Sequence, residues 1–251
     1  METTENATKL TIVMPAHNEE ASIADVLGGV LATAIDADTE VIVVNDGSTD
    51  RTAEILAGMT DPRLRVITHE KNRGKGSAVR TGLEAATGTH VLVFDADHEY
   101  DPDDIGRLVE PIRRGRAEVV YGVRVHGIHT IHPTLMHAIG NRVMTMAMNV
   151  VYGSSISDLH TCLKLLPLPL VRAMTMTETG FGLDTEITGE MLRRGFRPYE
   201  IPVGYVGRSK EEGKKIKARD ALACFWVMFK VRLRGRTRPG HRDKALAPRT
   251  L

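Results

Sequence analysis

The sequence predicts an α/β fold in which a mostly parallel sheet is covered by helices. Two observations support this. Apolar, strand-like runs alternate with helix-like segments through the first half of the chain, and polar clusters follow several of those runs directly. Such alternation builds a parallel sheet with ligand loops at the carboxyl ends of its strands. With 251 residues, 42% of them hydrophobic, the chain can form one large domain with a full core.

Each predicted element has a local signal. The segments are, in order, a strand at 10–18, a helix at 18–33, a strand–turn–helix unit at 39–59, a strand at 63–70, a helix at 74–88 and a strand at 89–97. Glu19 and Glu20 are expected in the first turn of the first helix, where acids are favourable. Gly47 permits a tight turn after the second strand, and Gly88 is expected to close the third helix.

The last of these strands runs into a cluster of acids, "DADHEYDPDD", at 95–104. Asp95 and Asp97 repel each other at the end of a strand, so a compensating cation is expected. The alternative is a solvated loop in which residues 101–104 cap the next helix. Because the other polar clusters, "PAHNEE" and "NDGSTD", also follow strands, the topology predicts that all three share one edge of the sheet.

The charge of the chain is nearly balanced overall but unevenly distributed. From Arg208 to Leu251 there are 14 lysines and arginines against four acids, so this segment carries about +10 and the rest about −9. The segment is therefore expected to meet an anionic partner. The N-terminus lacks an apolar signal core, no apolar run spans a bilayer, and Cys162 and Cys224 are far apart, so we expect a cytoplasmic protein that is not integral to a membrane.

Two further stretches suggest contacts with a nucleotide. Asp46, at the end of an apolar strand, can accept hydrogen bonds from a nucleobase or from ribose hydroxyls. The run "KNRGKGSAVRTG" is basic and rich in glycine, but it matches neither the P-loop nor the dinucleotide-binding pattern. Lys75, between two glycines, remains able to reach a phosphate.

The ordered series "IVMPAHNEEASI", "VIVVNDGSTDRT", "NRGKGSAVRTGLEAATG" and "VLVFDADHEYDP" resembles the nucleotide-sugar half of family 2 glycosyltransferases, which have the GT-A fold. The similarity continues through "YGVRVHG", "SISDLHTCLKLLP", "GFGLDTEITGEMLRRG" and "IPVGYVGRSKEEGKK", and it covers roughly residues 9–234. Within the family, the chain is most similar to polyprenyl-phosphate glycosyltransferases, including dolichol-phosphate mannose synthases. The implied fold is a Rossmann-like nucleotide-sugar domain with an acceptor-side helical extension at its C-terminal end.

The resemblance implies a donor site and a metal site. The implied donor-binding residues are Pro15, His17, Glu19, Val44, Asp46, Lys75, Asp95, Ala96, Asp97 and Arg208. Asp95 and Asp97 would hold Mg²⁺ or Mn²⁺ on the diphosphate, and hard cations favour such oxygen ligands. Glu99 would be a third ligand of the cation. Many relatives carry glutamine at this position, and the extra negative charge of a glutamate should strengthen binding of the metal.

The resemblance also implies an acceptor site and catalytic roles. Arg124 and Arg208 would neutralise phosphate oxygens, and Asp158 would orient the acceptor or accept its proton. Lys164 stands where other members use arginine, and lysine lacks the planar fork of that residue. A lipid phosphate is already anionic and needs no strong base, whereas a hydroxyl acceptor would need Asp158 or another carboxylate. Both acceptor classes remain open.

Two stretches in the second half have competing interpretations. His126, His129, His132 and His137 are expected in a mobile acceptor loop rather than in a zinc site, because no close pair with an acid occurs. The apolar run "ALACFWVMF", at 221–229, could be core. Because Lys230, Arg232 and Arg234 follow it, an interfacial anchor is expected, with Phe225, Trp226, Val227, Met228 and Phe229 at the headgroup boundary and an extended basic part beyond them.

The sequence thus predicts a metal-dependent, inverting transferase that moves a hexosyl or N-acetylhexosaminyl group from a UDP- or GDP-linked donor to polyprenyl phosphate. The rivals are a soluble glycosyltransferase with a hydroxyl acceptor, a nucleotidyltransferase, and a noncatalytic sugar-nucleotide binding protein. One domain is expected at 1–234, with a donor half at 9–122, an acceptor half at 123–234 and a flexible basic tail at 235–251. The expected partners are the donor and a lipid phosphate at the inner membrane face, with no nucleic acid.

Overall fold

The computed structural model describes residues 8–124, 130–131, 135–180, 182–208 and 218–234, apart from the side chains of 135–137 and 218–221. The strands are β1 Lys9–Ala16, β2 Asp38–Asn45, β3 Leu64–Thr68, β4 His90–Val93, β5 Val120–Val123, β6 Thr130–Ile131, β7 Lys164–Pro167, β8 Tyr199–Pro202 and β9 Tyr205–Val206. The helices are α1 Ile23–Ala32, α2 Thr52–Gly58, α3 Lys75–Ala85, α4 Asp104–Arg113, α5 Leu135–Tyr152, α6 Leu168–Arg172, α7 Leu183–Arg193 and α8 Ala218–Leu233.

Seven strands form the central sheet in the order β3-β2-β1-β4-β7-β5-β8, and β6 pairs with β9 separately. The strands β1 to β4 run parallel to one another, and β5 is parallel to β8. Only β7 is antiparallel to its neighbours, β4 and β5, among the described pairings. The predicted mostly parallel sheet is therefore confirmed.

The inner strands β1 and β2 lie between β3 and β4 in the sheet. Their inner residues are buried whichever side they face, as expected for a sheet covered by helices on both sides. Helix α3 lies close against β1 because Gly82 has no side chain, and a Cβ there would collide with Val13. This close packing holds the start of α3 against the sheet, and α3 begins at Lys75.

The boundaries of two predicted helices were wrong. Glu19 and Glu20 lie in a turn before α1, which begins at Ile23, and Asn18 in that turn has φ 54°. Helix α3 ends at Ala85, so Gly88 does not close it. Gly88 is required for another reason, since a Cβ there would lie 2.7 Å from Lys9 O at the start of β1.

The strand directions bring several loops to one edge of the sheet, which we call the rim. The segments that follow β1, β2, β4 and β5 lie there because these strands run in the same direction. Strand β7 runs in the opposite direction, so its beginning lies at the rim as well: Leu165 pairs with Leu92, and the Cys162 thiol lies 3.6 Å from Val93 O. The polar clusters of the sequence therefore meet, as predicted.

Helices α5, α7 and α8, from the second half of the chain, pack together. Helix α8 buries Cys224, Val227, Met228 and Val231, and its end is held by Arg234, which binds the buried Glu186 at 2.8 Å. The prediction that the whole 225–229 run lies at a membrane interface was therefore wrong for Val227 and Met228. Both side chains face the protein core. No helix within the described residues is long and apolar enough to cross a membrane.

Candidate active site

The acidic pair at the end of β4 forms the centre of the rim. Val91 to Phe94 are buried, and they deliver Asp95 and Asp97 to the edge of the sheet. Ala96 between them is buried, and its carbonyl accepts a hydrogen bond from Ser22 Oγ at 2.9 Å. This bond ties the acidic turn to the segment that follows β1.

Asp97 lies in an excess of negative charge. Burial, together with the charges of Asp95 and Glu99, raises the pKa of Asp97 to about 7, although Arg208 acts in the opposite direction. The guanidinium of Arg208 donates to Asp97 Oδ2, and it reaches Glu19 Oε2 at 3.3 Å. A single cationic side chain thus joins acids from two rim loops.

Glu99 is held by the segment around β9. Its carboxylate accepts a hydrogen bond from the Tyr205 hydroxyl at 3.0 Å and another from the Arg208 backbone N–H at 2.9 Å. Glu99 therefore adds negative charge to the site, and it also fixes the backbone at Arg208.

Asp95 is paired with Lys75, the first residue of α3, at 2.8 Å. Burial works against the charge on Lys75, but the Asp95 carboxylate more than offsets it and raises the pKa of Lys75 well above its ordinary value. The glycines on either side have a packing role: a Cβ on Gly74 or on Gly76 would collide with the backbone at 178–179. The glycine-rich run thus holds a cation at the rim.

Asp46 is a buried anchor for two loops. Its carboxylate accepts hydrogen bonds from His69 Nδ1 at 2.6 Å and from the backbone N–H groups of Arg73 and Gly74 at 2.9 and 2.8 Å. His17 Nδ1 donates to the Asp46 carbonyl at 2.9 Å. These contacts are all within the protein, and the expected contact of Asp46 with a nucleoside stays a prediction.

The remaining donor-side residues lie around this anchor. Pro15 and Val44 are paired in the register of β1 with β2, and Val44 is fully buried while Pro15 is partly exposed. The backbone N–H of Glu19 donates to Thr52 Oγ1 at 2.9 Å, which joins the loop after β1 to α2. The structure therefore brings the predicted donor residues to one region.

The acids at the end of β4 fit a hard divalent cation such as Mg²⁺ or Mn²⁺. Carboxylate oxygens are the preferred ligands, and Mg²⁺ is commonly held by one or two carboxylates together with substrate phosphates and water. Within the described part of the chain, no three histidine, cysteine or acidic side chains converge closely enough to hold a metal by themselves. Asp95 and Asp97 thus suit a cation that completes its coordination with phosphate oxygens.

A buried ion pair lies beside β5 and the beginning of β7. Arg124, which follows β5, binds Asp158 with Nε and Nη2, both at 2.7 Å, and Asn141 Nδ2 donates to the same carboxylate at 2.9 Å. Burial works to raise the pKa of Asp158, but Arg124 and Asn141 outweigh it and lower the pKa to about 2. The Asp158 side chain is 0% exposed and that of Arg124 is 13% exposed, so the arginine presents the accessible part of the pair.

Lys164 lies beneath this region rather than at its surface. Its side chain is 1% exposed, and Nζ donates to Asp184 Oδ1 at 2.8 Å and lies 5.5 Å from the centre of the Tyr121 ring. In this arrangement Lys164 neutralises Asp184, and its expected contact with an acceptor stays a prediction. The histidines of the expected acceptor loop lie outside the described residues, except for His137, whose side chain is not described.

The family that fits this arrangement also matches the sequence: the pattern of Glycosyl transferase family 2 covers residues 11–172. The chain belongs to glycosyltransferase family 2. The matched segment includes Asp46, Asp95, Asp97, Arg124 and Asp158, and the family predicted from the ordered motifs is confirmed.

Two curated relatives of this family 2 chain illustrate its similarities. The low-salt glycan biosynthesis hexosyltransferase Agl6 of Haloferax volcanii is 30% identical over 82% of this chain and 49% of its own length. The undecaprenyl-phosphate 4-deoxy-4-formamido-L-arabinose transferase of Pectobacterium carotovorum subsp. carotovorum is 32% identical over 66% of this chain and 50% of its own length. The chain therefore spans about half the length of these two relatives.

Among solved structures, glucosyl-3-phosphoglycerate synthase from Mycobacterium tuberculosis in complex with UDP has the same fold. It superposes with a TM-score of 0.71 at 18% sequence identity, and the match covers 90% of this chain and 80% of the other. Other structures of that synthase contain Mn²⁺ or Mg²⁺ together with UDP. The predicted GT-A fold class of this family 2 chain is confirmed.

Three residues of the family 2 site had no predicted role. His69 binds Asp46, and Asn141 binds Asp158. The third residue is Asp184 in the first turn of α7, which is 20% exposed and pairs with Lys164. Burial works to raise the pKa of Asp184, but Lys164 and Lys75 lower it. Only Asp184 had a signal in the sequence, as an acid at the start of a helix directly after "GFG".

Proposed function

We propose that this chain is a metal-dependent, inverting glycosyltransferase that moves a sugar from a nucleoside-diphosphate sugar to a polyprenyl phosphate. The observation that carries the proposal is the arrangement along the rim. The acidic pair at the end of β4 is paired with Lys75 and Arg208, and Arg124 lies over the ring of Tyr205, whose hydroxyl binds Glu99. Acids and a divalent cation hold a diphosphate, and the arginines neutralise phosphate oxygens.

The donor is bound on the side of β1, β2 and β4. Asp46 and its partners keep the nucleoside loops in place, and Asp95 and Asp97 hold Mg²⁺ or Mn²⁺, which stabilises the charge that develops on the leaving diphosphate. Lys75 and Arg208 are already paired with these acids, at the place where phosphate oxygens would arrive. Complexes of the structurally similar synthase with Mn²⁺ and UDP support this choice of cation and donor.

The carboxylates of the acceptor half favour an acceptor that is already ionised. The pKa of Asp158 is about 2 and that of Asp184 is also lowered, so both carboxylates are weak bases near neutral pH. A phosphate oxygen needs no base, and the partly exposed guanidinium of Arg124 suits it. The relative named for its undecaprenyl-phosphate acceptor supports the same class of lipid.

The chain would then act at the cytoplasmic face of a membrane, where a lipid phosphate is accessible. Attack on the anomeric carbon would proceed in line with the departing diphosphate, and catalysis would come mainly from positioning and charge neutralisation. The sugar would be a hexose or an N-acetylhexosamine.

A panel of UDP- and GDP-linked sugars, incubated with and without polyprenyl phosphate, tests the proposal by the release of nucleoside diphosphate. We expect release that depends on both the lipid phosphate and a divalent cation, and that is abolished by a chelator. Pyrophosphate release from a nucleoside triphosphate would identify a nucleotidyltransferase instead. Transfer to soluble hydroxyl acceptors, or donor binding with no turnover, would also contradict the proposal.

A further inference from the structure

Helices α5 and α8 each expose a row of large apolar side chains. The exposed fractions of these residues lie between 44% and 81%, and the rows are Ile139, Val143, Met146 and Val150 on α5 and Leu222, Trp226, Phe229 and Leu233 on α8. Single exposed apolar residues are common on protein surfaces, but contiguous apolar patches mark sites of interaction. We call these eight residues the paired apolar rows.

The two rows have the same helical spacing. In each of them the residues follow one another at intervals of four, three and four, which places them within an arc of about 60° on a helix of 3.6 residues per turn. The other faces of both helices are buried in the protein, through Met144 and Met148 in α5 and Val227 and Met228 in α8. Within the part of the chain that the structure describes, each helix therefore has one apolar face packed against the protein and one that is exposed.

The paired apolar rows lie on adjacent helices. The Tyr152 hydroxyl at the end of α5 donates to Met228 O in α8 at 3.0 Å, and Arg232 Nε donates to Val151 O at 3.2 Å. The end of α8 is also fixed to α7, since Arg234 pairs with Glu186 of α7 at 2.8 Å. The rows are thus held on a rigid support rather than on a loose terminal helix.

Basic residues lie on both helices and flank α8 in the sequence. Arg142 and Arg232, on the two helices themselves, are exposed. In the sequence, α8 is preceded by residues 209–217, with four lysines against two glutamates, and followed by 235–251, with five basic residues against one aspartate. Apolar residues that enter the headgroup boundary, flanked by cations that attract anionic lipid, are typical of helices that lie on a membrane surface.

The row on α5 begins beside the acceptor side of the site. Asn141, which binds Asp158, lies between Ile139 and Val143 in the sequence of α5, and Asp158 holds Arg124. A bilayer on this face would therefore lie near the arginine that is proposed to meet the lipid phosphate. A second copy of the chain on the same face would separate the site from the membrane, and the flanking basic residues would repel it.

We propose that the paired apolar rows of α5 and α8 are the surface by which this protein docks on an anionic lipid bilayer. The proposal rests on the proposed function and deepens it, because it names the face through which the lipid-linked acceptor is reached. Both helices lie in the headgroup boundary with their rows inserted, and the flanking arginines and lysines contact anionic headgroups.

Substitutions in both rows of the full-length chain test this surface. The variant Met146→Gln/Val150→Gln/Trp226→Gln/Phe229→Gln keeps good helix formers at exposed positions, so its circular dichroism and thermal unfolding should match the wild type. The control is Val66→Thr/Tyr199→Thr, which removes two exposed apolar residues from β3 and β8, at the opposite edges of the sheet.

Binding is measured by sedimentation with vesicles of phosphatidylcholine, with and without phosphatidylglycerol. We expect the wild type and the control to bind the anionic vesicles and to bind less in high salt, while the row variant loses about tenfold or more of its membrane partition coefficient. Arg142→Gln should weaken binding to anionic vesicles by a few-fold, about the effect of one basic residue near the surface.

The docking surface would be refuted if the folded row variant bound anionic vesicles like the wild type, or if the wild type did not bind them. A wild-type dimer in solution that the row substitutions dissociate would identify an interface between copies instead. Vesicle binding is measured without donor, so it is independent of turnover. If the wild type binds vesicles but transfers no sugar to any polyprenyl phosphate, the proposed function fails while the docking surface stands.

Discussion

The guanidinium of Arg208 binds the carboxylate of Asp97 and also lies 3.3 Å from Glu19 and 3.9 Å from Glu99. A side chain from the segment after β9 thus neutralises acids that follow β1 and β4. A divalent cation held by Asp97 would compete for the same oxygens, so binding of the metal and the position of Arg208 are coupled.

Arg208→Ala should therefore affect metal binding and turnover in opposite directions. Without donor, calorimetric titration with Mn²⁺ should show affinity increased by about tenfold, because a competing positive charge is gone. Turnover should fall about 100-fold, because a group that stabilises the departing diphosphate is lost. Arg51→Ala, which removes an exposed arginine paired with Glu54, is the control and should change neither quantity. Unchanged Mn²⁺ affinity in Arg208→Ala would contradict the coupling.

Asp97→Asn should abolish metal-dependent turnover and leave the fold intact. The substitution removes the charge of a metal ligand while it keeps the shape of the side chain, and burial of Asp97 together with Asp95 and Glu99 disfavours that charge in the absence of the metal. Turnover should fall by about 100-fold or more at saturating Mg²⁺ or Mn²⁺, with no loss in thermal stability. The exposed Asp103, changed to asparagine, serves as the control. Full activity of Asp97→Asn would refute the metal site.

Asp46→Ala should weaken donor binding and also destabilise the protein. The carboxylate binds His69 and the backbone N–H groups of Arg73 and Gly74, so its removal leaves buried donors without partners, at a cost of about 2–4 kcal/mol in the free energy of unfolding. Urea unfolding measures the stability, and calorimetry of the folded variant measures the affinity for the donor. If both values equal those of the wild type, Asp46 has neither role.

Asp158→Asn should cost about 3–5 kcal/mol of stability, because it leaves Arg124 buried without its charged partner. The double variant Arg124→Gln/Asp158→Asn should regain part of this stability, since no uncompensated charge remains, but it should not regain activity at low acceptor concentration. Urea unfolding of the two single variants and the double variant provides the cycle. Additive losses of stability would show that the two side chains do not act as a pair.

The contribution of two buried histidines to stability should be lost as the pH is lowered from 6.5 towards 4, while the raised pKa of Asp97 acts in the opposite direction. Burial lowers the pKa of His160 from 6.5 to about 4, and that of His90 by the same amount. The unfolded chain therefore binds these protons at a higher pH than the folded chain does, so the stability that the two histidines contribute above pH 6.5 is lost over this range, by up to about 3 kcal/mol for His160.

The variant His160→Asn can still donate to Asn141 Oδ1, as the imidazole Nδ1 does at 3.2 Å, but it cannot titrate. Relative to this variant, the wild type should lose up to about 3 kcal/mol of its free energy of unfolding between pH 6.5 and 4. Identical pH profiles for the variant and the wild type would contradict this assignment.

The meeting of the acidic clusters at one edge of the sheet could be predicted from the sequence because these clusters follow strands directly. Strand direction alone places Asp46, Asp95 and Asp97 at one edge, and the order of the motifs identifies the family. The pairing of Arg124 with Asp158 could not be predicted in this way, because it joins residues 34 positions apart and depends on how β5 and the beginning of β7 meet.

The burial of Lys164 could not be predicted from the sequence either. A lysine at the start of a strand suggests exposure, and only the position of Asp184 on α7, together with the Tyr121 ring, makes its burial favourable. In α8 the apolar run was visible, but which side chains face the core depends on the packing of α5 and α7. The exposed row on α5 could not be predicted from the sequence either, because the helix is apolar on two faces and the pattern does not show which face is packed.

The reversed direction of β7 has a consequence for how the two substrate specificities can change. The loops proposed to bind the donor leave the sheet after β1, β2 and β4, whereas the segment that carries Asp158, proposed to face the acceptor, enters it before β7. Insertions or exchanges in that entering segment do not shift the register of the parallel strands. Chimeras that replace residues 154–163 should therefore alter the choice of acceptor while the choice of nucleotide sugar is retained, so the two halves of the reaction can be engineered as separate modules.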